Sequence, residues 1–199
     1  MIVKFCGLQR EEDIKAVNGL MPDMAGFILD KSRRRYVAPD RLCELRSMLD
    51  PKIKAVGVFV DEDIDQVEKL LKEGLIDIAQ LHGKETPEYI RELKRRTGAE
   101  VIKAFAVRNE RDIIEVTDSP ADLVLLDSPG GGTGEAFEWG MLTLVQRPFI
   151  LAGGLNAGNV NEAMEMIDPY GVDVSSGIET DGVKDRNKME AFMAAVRKG

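Results

Sequence analysis

The sequence predicts an α/β fold, a single (β/α)8 TIM barrel occupying residues 1–199. Three observations carry that expectation. Short β-branched or apolar runs recur roughly every 25 residues, and nearly every one is followed by a segment of helical periodicity, the pattern of a parallel sheet. Eight such runs can be counted, which is the number a closed barrel needs. Finally, polar or glycine residues close six of them, which suits a ring of strand ends better than an open sheet with one switch point.

The first run is Ile2 to Cys6, followed by Ile14, Val17 and Met21 at helix spacing. Ala25 to Leu29 and Lys54 to Val60 are the second and third runs, and Ile64, Val67 and Leu71 form the next helical stripe. The fourth run, Ile76 to Leu81, precedes Thr86 and Pro87, a side-chain acceptor before a proline where a helix begins with unpaired N–H groups; Ile90 and Leu93 continue that helix. Val101 to Val107 is the fifth, and Asn109 before Glu110 is placed to cap the next helix. Asp122 to Asp127, Phe149 to Ala152 and Gly171 to Ser175 complete the set, with helical stripes at Val160, Ala163, Met164 and Ile167 and at Met189, Phe192, Met193 and Val196.

Composition bounds the function. A chain of 199 residues, 44% of them hydrophobic, can bury one sizeable core. A formal net charge of -8 argues against nucleic acid or an anionic membrane surface as the main partner, whereas a small phosphorylated substrate needs only a locally positive pocket. No apolar stretch approaches the roughly 18 residues of a membrane helix, and neither end has the pattern of a signal peptide, so a cytoplasmic location is expected. Cys6, Cys43 and the single histidine, His82, have neither disulfide-framework nor metal-ligand spacing, so no metal is expected. The sequence leaves monomer and homodimer both open.

Alternation along strands places Cys6 and Asp127 together at the barrel mouth if Ile2, Lys4 and Cys6, and likewise Leu123, Leu125 and Asp127, point inward. Cys6 is then either an inert buried thiol or a general base, with Lys4 and Arg35 the cations that could favour the thiolate. Asp127 is either a turn residue or a carboxyl that keeps its proton in an apolar mouth and acts as general acid. Gly153, Gly154, Ser175, Ser176 and Gly177, at the ends of the last two strands, are ordinary turns or the phosphate cradle common in this fold. Gly130 to Gly134 suit a loop closing over a substrate. Arg35, within Arg33-Arg34-Arg35, is a solvated charge or a clamp for a substrate carboxylate. His82, without a placed partner, fits a structural or binding role better than a catalytic one.

These motifs, in order and along nearly the whole chain, resemble the phosphoribosylanthranilate isomerases of tryptophan biosynthesis. Lys4-Phe5-Cys6-Gly7 is similar to the family's opening strand, whose cysteine is the general base; Arg35, just before Tyr36, matches the arginine that contacts the anthranilate carboxylate. Gln80-Leu81-His82-Gly83 is similar to the fourth strand end, and Leu126-Asp127-Ser128 to the sixth, which supplies the general acid. Leu151-Ala152-Gly153-Gly154-Leu155-Asn156 and Val172-Asp173-Val174-Ser175-Ser176-Gly177-Ile178-Glu179 match the phosphate-binding strands, with Asp173 expected to bind substrate. Departures are Leu8, where threonine is commoner, and Glu138, where aspartate is. The resemblance implies an Amadori rearrangement without metal or organic cofactor. The related ketol isomerase of histidine biosynthesis is similar in using two aspartates, and Cys6 counts against it.

Overall fold

Eight parallel strands close on themselves: β1 (Ile2–Cys6), β2 (Met24–Ile28), β3 (Lys54–Phe59), β4 (Ile78–Leu81), β5 (Glu100–Ala106), β6 (Leu123–Asp127), β7 (Phe149–Ala152) and β8 (Gly171–Val174), with β8 returning to pair with β1. A computed structural model describes residues 1–127 and 139–198. The eight predicted runs are these eight strands, with ends that differ by one or two residues. Both faces of such a sheet are covered, which is why the strands read as continuous apolar runs.

The helices of the outer ring are α1 (Glu11–Leu20), α2 (Pro39–Met48), α3 (Ile64–Lys72), α4 (Pro87–Thr97), α5 (Glu110–Asp118), α6 (Val160–Ile167) and α7 (Arg186–Lys198). Thr86 and Asn109 cap as predicted, accepting from the backbone N–H of Tyr89 and of Arg111. Met21 does not belong to the apolar face of α1. It is the left-handed residue that ends the helix, at φ 52, and it is exposed while its N–H still reaches the Val17 carbonyl. Between β6 and β7 the described residues contain only a 3-10 segment, Trp139–Leu144, rather than an α-helix. The predicted closing loop Gly130 to Gly134, with Ser128 and Glu138, lies outside the described residues.

Inside the ring, Met24, Val56, Ile78, Ile102, Leu125 and Ile150 form the barrel core; between strands and helices a larger cluster includes Phe5, Phe27, Phe59 and Phe192. Each such side chain, fully buried, contributes about 1.5–3 kcal/mol. At the N-terminal rim the same clip recurs three times. Asp23, Asp77 and Asp122, each just before an even-numbered strand, accept the backbone N–H of Val3, Ala55 and Val101 in the preceding strand. After β8, a short hairpin of β9 (Glu179–Thr180) and β10 (Val183–Lys184) folds beside the C-terminal rim. No helix of the described residues is long and apolar enough to cross a membrane.

Candidate active site

The C-terminal ends of the strands converge on a cavity of about 260 Å³ lined by Cys6, Arg35, His82, Asp127, Asp173, Ser175 and Ser176, with Gly153 and Gly154 among its walls. Nine of the predicted site residues therefore share one chamber. The tenth, Gly177, is not among its lining residues. A Cβ there would sit 1.9 Å from the Leu155 carbonyl oxygen, so this glycine is what lets the loop after β8 pack directly on the loop after β7. Gly153 and Gly154 both have positive φ, 93 and 63, a turn that L side chains rarely adopt.

Cys6 is buried at the end of β1. Gly26 on β2 makes room for it, since a Cβ at that position would lie 2.9 Å from the sulfur. Lys4, two residues earlier on the same face, has no exposed surface and donates to Asp173 Oδ1 at 3.0 Å. Burial alone would favour the neutral amine, but Asp173 and Cys6 together hold the Lys4 pKa above its ordinary 10.5. For the thiol the balance runs the other way. Burial pushes Cys6 above 9.0 and outweighs the pull of Lys4, with Asp173 adding to the rise, so the resting form is the thiol. The thiolate that Lys4 and Arg35 were expected to favour is the minor form in the free protein.

Asp127 closes β6 and is less secluded than an apolar mouth would make it: over a third of its side chain is exposed, and its Oδ2 lies 3.4 Å from His82 Nε2. Nδ1 is the other nitrogen of the ring. It faces Gln80 Nε2 at 3.4 Å. His82 thus has two partners, neither of which was visible in its isolated position in the sequence.

Arg35 is neither solvated nor free. Its Nε and Nη2 form a paired contact with Glu179, at 2.6 and 2.8 Å, and Nη1 makes no hydrogen bond among the described residues. Glu179 also accepts from Arg34 and from Lys184. Burial pushes its pKa up, but the hydrogen bonds and charges of Arg35 and Lys184 prevail and hold it at about 2. Lys184 continues to the Ser175 carbonyl at 2.8 Å, and the Ser175 hydroxyl donates to the Cys6 carbonyl at 3.0 Å. Ser175 therefore ties the eighth strand end to the first. The sequence shows Glu179 only as the last residue of a motif matching the phosphate-binding strands and gives no role to Lys184, and neither signals the ion pair between them.

Two larger cavities lie away from this chamber. One, of about 740 Å³, is bounded by Ile90 of α4 and Ile114 of α5; the other, of about 630 Å³, is at the N-terminal rim near Met1, Phe149 and Tyr170. The first is also lined by charged residues, among them Glu85, Lys103 and Asp112, but neither cavity includes any of the ten predicted site residues. Among the described residues no cluster of three or more His, Cys, Asp or Glu could hold a metal ion.

Comparison with known proteins agrees with the geometry. Residues 3–195 match the family model described as N-(5'phosphoribosyl)anthranilate (PRA) isomerase. The N-(5'-phosphoribosyl)anthranilate isomerase of Thermoanaerobacter pseudethanolicus is 41% identical over 201 residues, covering 98% of this chain and 97% of that protein. Among solved structures, the phosphoribosyl anthranilate isomerase of Thermotoga maritima superposes with a TM-score of 0.92 at 32% identity, covering all of both chains. Another, solved in complex with reduced 1-(o-carboxyphenylamino)-1-deoxyribulose 5-phosphate, gives 0.89 at 31% identity, again over the whole of both chains. With a matching family model along nearly its full length, and relatives of the same kind covering it end to end, the chain belongs to the N-(5'-phosphoribosyl)anthranilate isomerase family.

Proposed function

We propose that this isomerase carries out the Amadori rearrangement of N-(5-phosphoribosyl)anthranilate to 1-(2-carboxyphenylamino)-1-deoxyribulose 5-phosphate with Asp127 as general acid and Cys6 as general base. The observation that carries the assignment is that a thiol from β1 and a carboxyl from β6 line the same small cavity. Asp127 gives its proton to the furanose ring oxygen as the C1–O bond breaks and the amine nitrogen supplies the electron pair of the C1=N bond. Cys6, as thiolate, takes the proton from C2. The electrons left behind form the C1=C2 enaminol, which becomes the ketone when C1 gains a proton and the 2-hydroxyl loses one. Every step moves protons and electron pairs within one substrate, so the chemistry calls on no cofactor.

Binding follows the same map. The phosphate sits against Gly153, Gly154, Ser175 and Ser176, with Gly177 holding the two loops in register. Arg35 holds the anthranilate carboxylate, offering the guanidinium edge turned away from Glu179. His82 and Asp173 complete the wall. The complex of a relative with a reduced product analogue supports a ligand of this class for the chamber. Replacing Cys6 by alanine and Asp127 by valine, one at a time, is expected to lower turnover about a hundredfold to ten-thousandfold each, followed by the fluorescence loss of phosphoribosylanthranilate. Undiminished turnover in either variant removes that residue from the mechanism.

A further inference from the structure

Gln80 sits on the inner side of β4, in register with Val58 of β3 and Ile102 of β5, and only 1% of it is exposed. Its side chain lines the cavity that also holds Cys6 and Asp127. Of the two halves of its amide, one is accounted for. The amide nitrogen faces Nδ1 of His82 at 3.4 Å, and the ring's Nε2 lies 3.4 Å from Asp127 Oδ2. The carbonyl, Oε1, is buried without any hydrogen-bond partner, and it is the one buried side-chain polar atom of the described residues in that state. Buried acceptors are rarely left unpaired, and the exceptions gather where a ligand completes them.

We propose that Gln80 is a substrate-binding residue whose side-chain carbonyl accepts a hydrogen bond from an N–H or hydroxyl group of the phosphoribosyl amine. The inference rests on the function proposed above and adds to it a polar contact made from the fourth strand. A carbonyl can only accept, so its partner is a donor; both the secondary amine and the pentose hydroxyls of such a substrate are donors. His82 acts as the brace. By engaging the amide nitrogen it fixes the orientation of the side-chain amide, and with it the unpaired acceptor, before the substrate arrives.

Gln80→Met tests this, because methionine keeps the length of the side chain and removes the acceptor. The expected result is a fall in kcat/KM of about tenfold or more, appearing mainly as a higher KM, together with a melting temperature equal to or above that of the wild type, since the unpaired acceptor leaves with the amide. A purely structural glutamine would lower stability and activity together. If Gln80→Met does not fold, Gln80→Asn serves, as it keeps the amide and withdraws the carbonyl by one methylene; the same loss of kcat/KM is expected. A wild type that turns over phosphoribosylanthranilate while the variant stays within about twofold of it overturns the inference alone, and is the result expected if Oε1 meets only water. A wild type with no turnover overturns the proposed function, and this inference with it.

Discussion

At Cys6 two opposing electrostatic effects meet, and their order decides the resting state of the site. A buried thiol resists ionisation because the thiolate loses its solvent, and this exceeds the stabilisation offered by the Lys4 ammonium. The consequence is measurable. Thiolate absorbance, with a Cys6→Ala sample subtracted, is expected to rise with a midpoint above 9.0, the ordinary value of the group. At neutral pH less than about 1% is then ionised. A midpoint near neutrality would mean that the cations win and that Cys6 rests as the thiolate. The residue types of the site were legible in the sequence because strand alternation assigns a face to each position: Cys6 and Asp127 were placed at the mouth from spacing alone. Their protonation was not legible, since it depends on burial and on which cation turns toward which anion. Arg35, expected to favour the thiolate, spends its paired contact on Glu179.

Between residue and fold, the hairpin of β9 and β10 shows how a minor element fixes a major one. Its two ends present Glu179 and Lys184, which together bind Arg35 and the Ser175 carbonyl and so set the positions of a cavity wall and a strand end. Helix caps such as Thr86 and Asn109 were legible because a cap is a local pattern. Strands two residues long have no period to detect, and this hairpin was missed for that reason. Its weight can be read from acid unfolding. With a folded pKa of about 2 against an ordinary 4.5, the Glu179 carboxylate favours the folded state; its contribution is complete above the ordinary value and is lost as pH falls through about 2. The shift sets an upper bound of roughly 3 kcal/mol, which solvent screening of the partly exposed network lowers. In urea unfolding across pH, wild type is expected to exceed Glu179→Gln most at pH values above 4.5, with the gap closing toward pH 2. Two curves that stay parallel would show that the network contributes nothing through this charge.

Over the whole molecule, closure of the ring is the feature that makes the site possible, because only a closed barrel brings the ends of β1, β6 and β8 around one cavity. The strand count and the polar strand ends made that closure legible. Less legible were the devices that hold the ring, such as the aspartates at 23, 77 and 122, whose partners lie in the preceding strand and not in their own. At the seam, Lys4 of β1 stands in register with Asp173 of β8, and their charges meet at 3.0 Å in a nearly dry interior. Such a pair has already given up most of its solvation, so removing one member strands the other charge, which costs about 3–5 kcal/mol. Lys4→Met is therefore expected to lower the unfolding free energy by that amount, a large share of the roughly 5–15 kcal/mol available to a typical domain. Neutralising both members, as Lys4→Met with Asp173→Asn, removes the stranded charge, and the double variant should be more stable than Lys4→Met alone. Urea unfolding of the wild type, each single variant and the double variant decides the matter: costs of the two single changes that simply add in the double variant would mean that the seam is held by backbone pairing and packing, and that the ion pair across it is energetically silent.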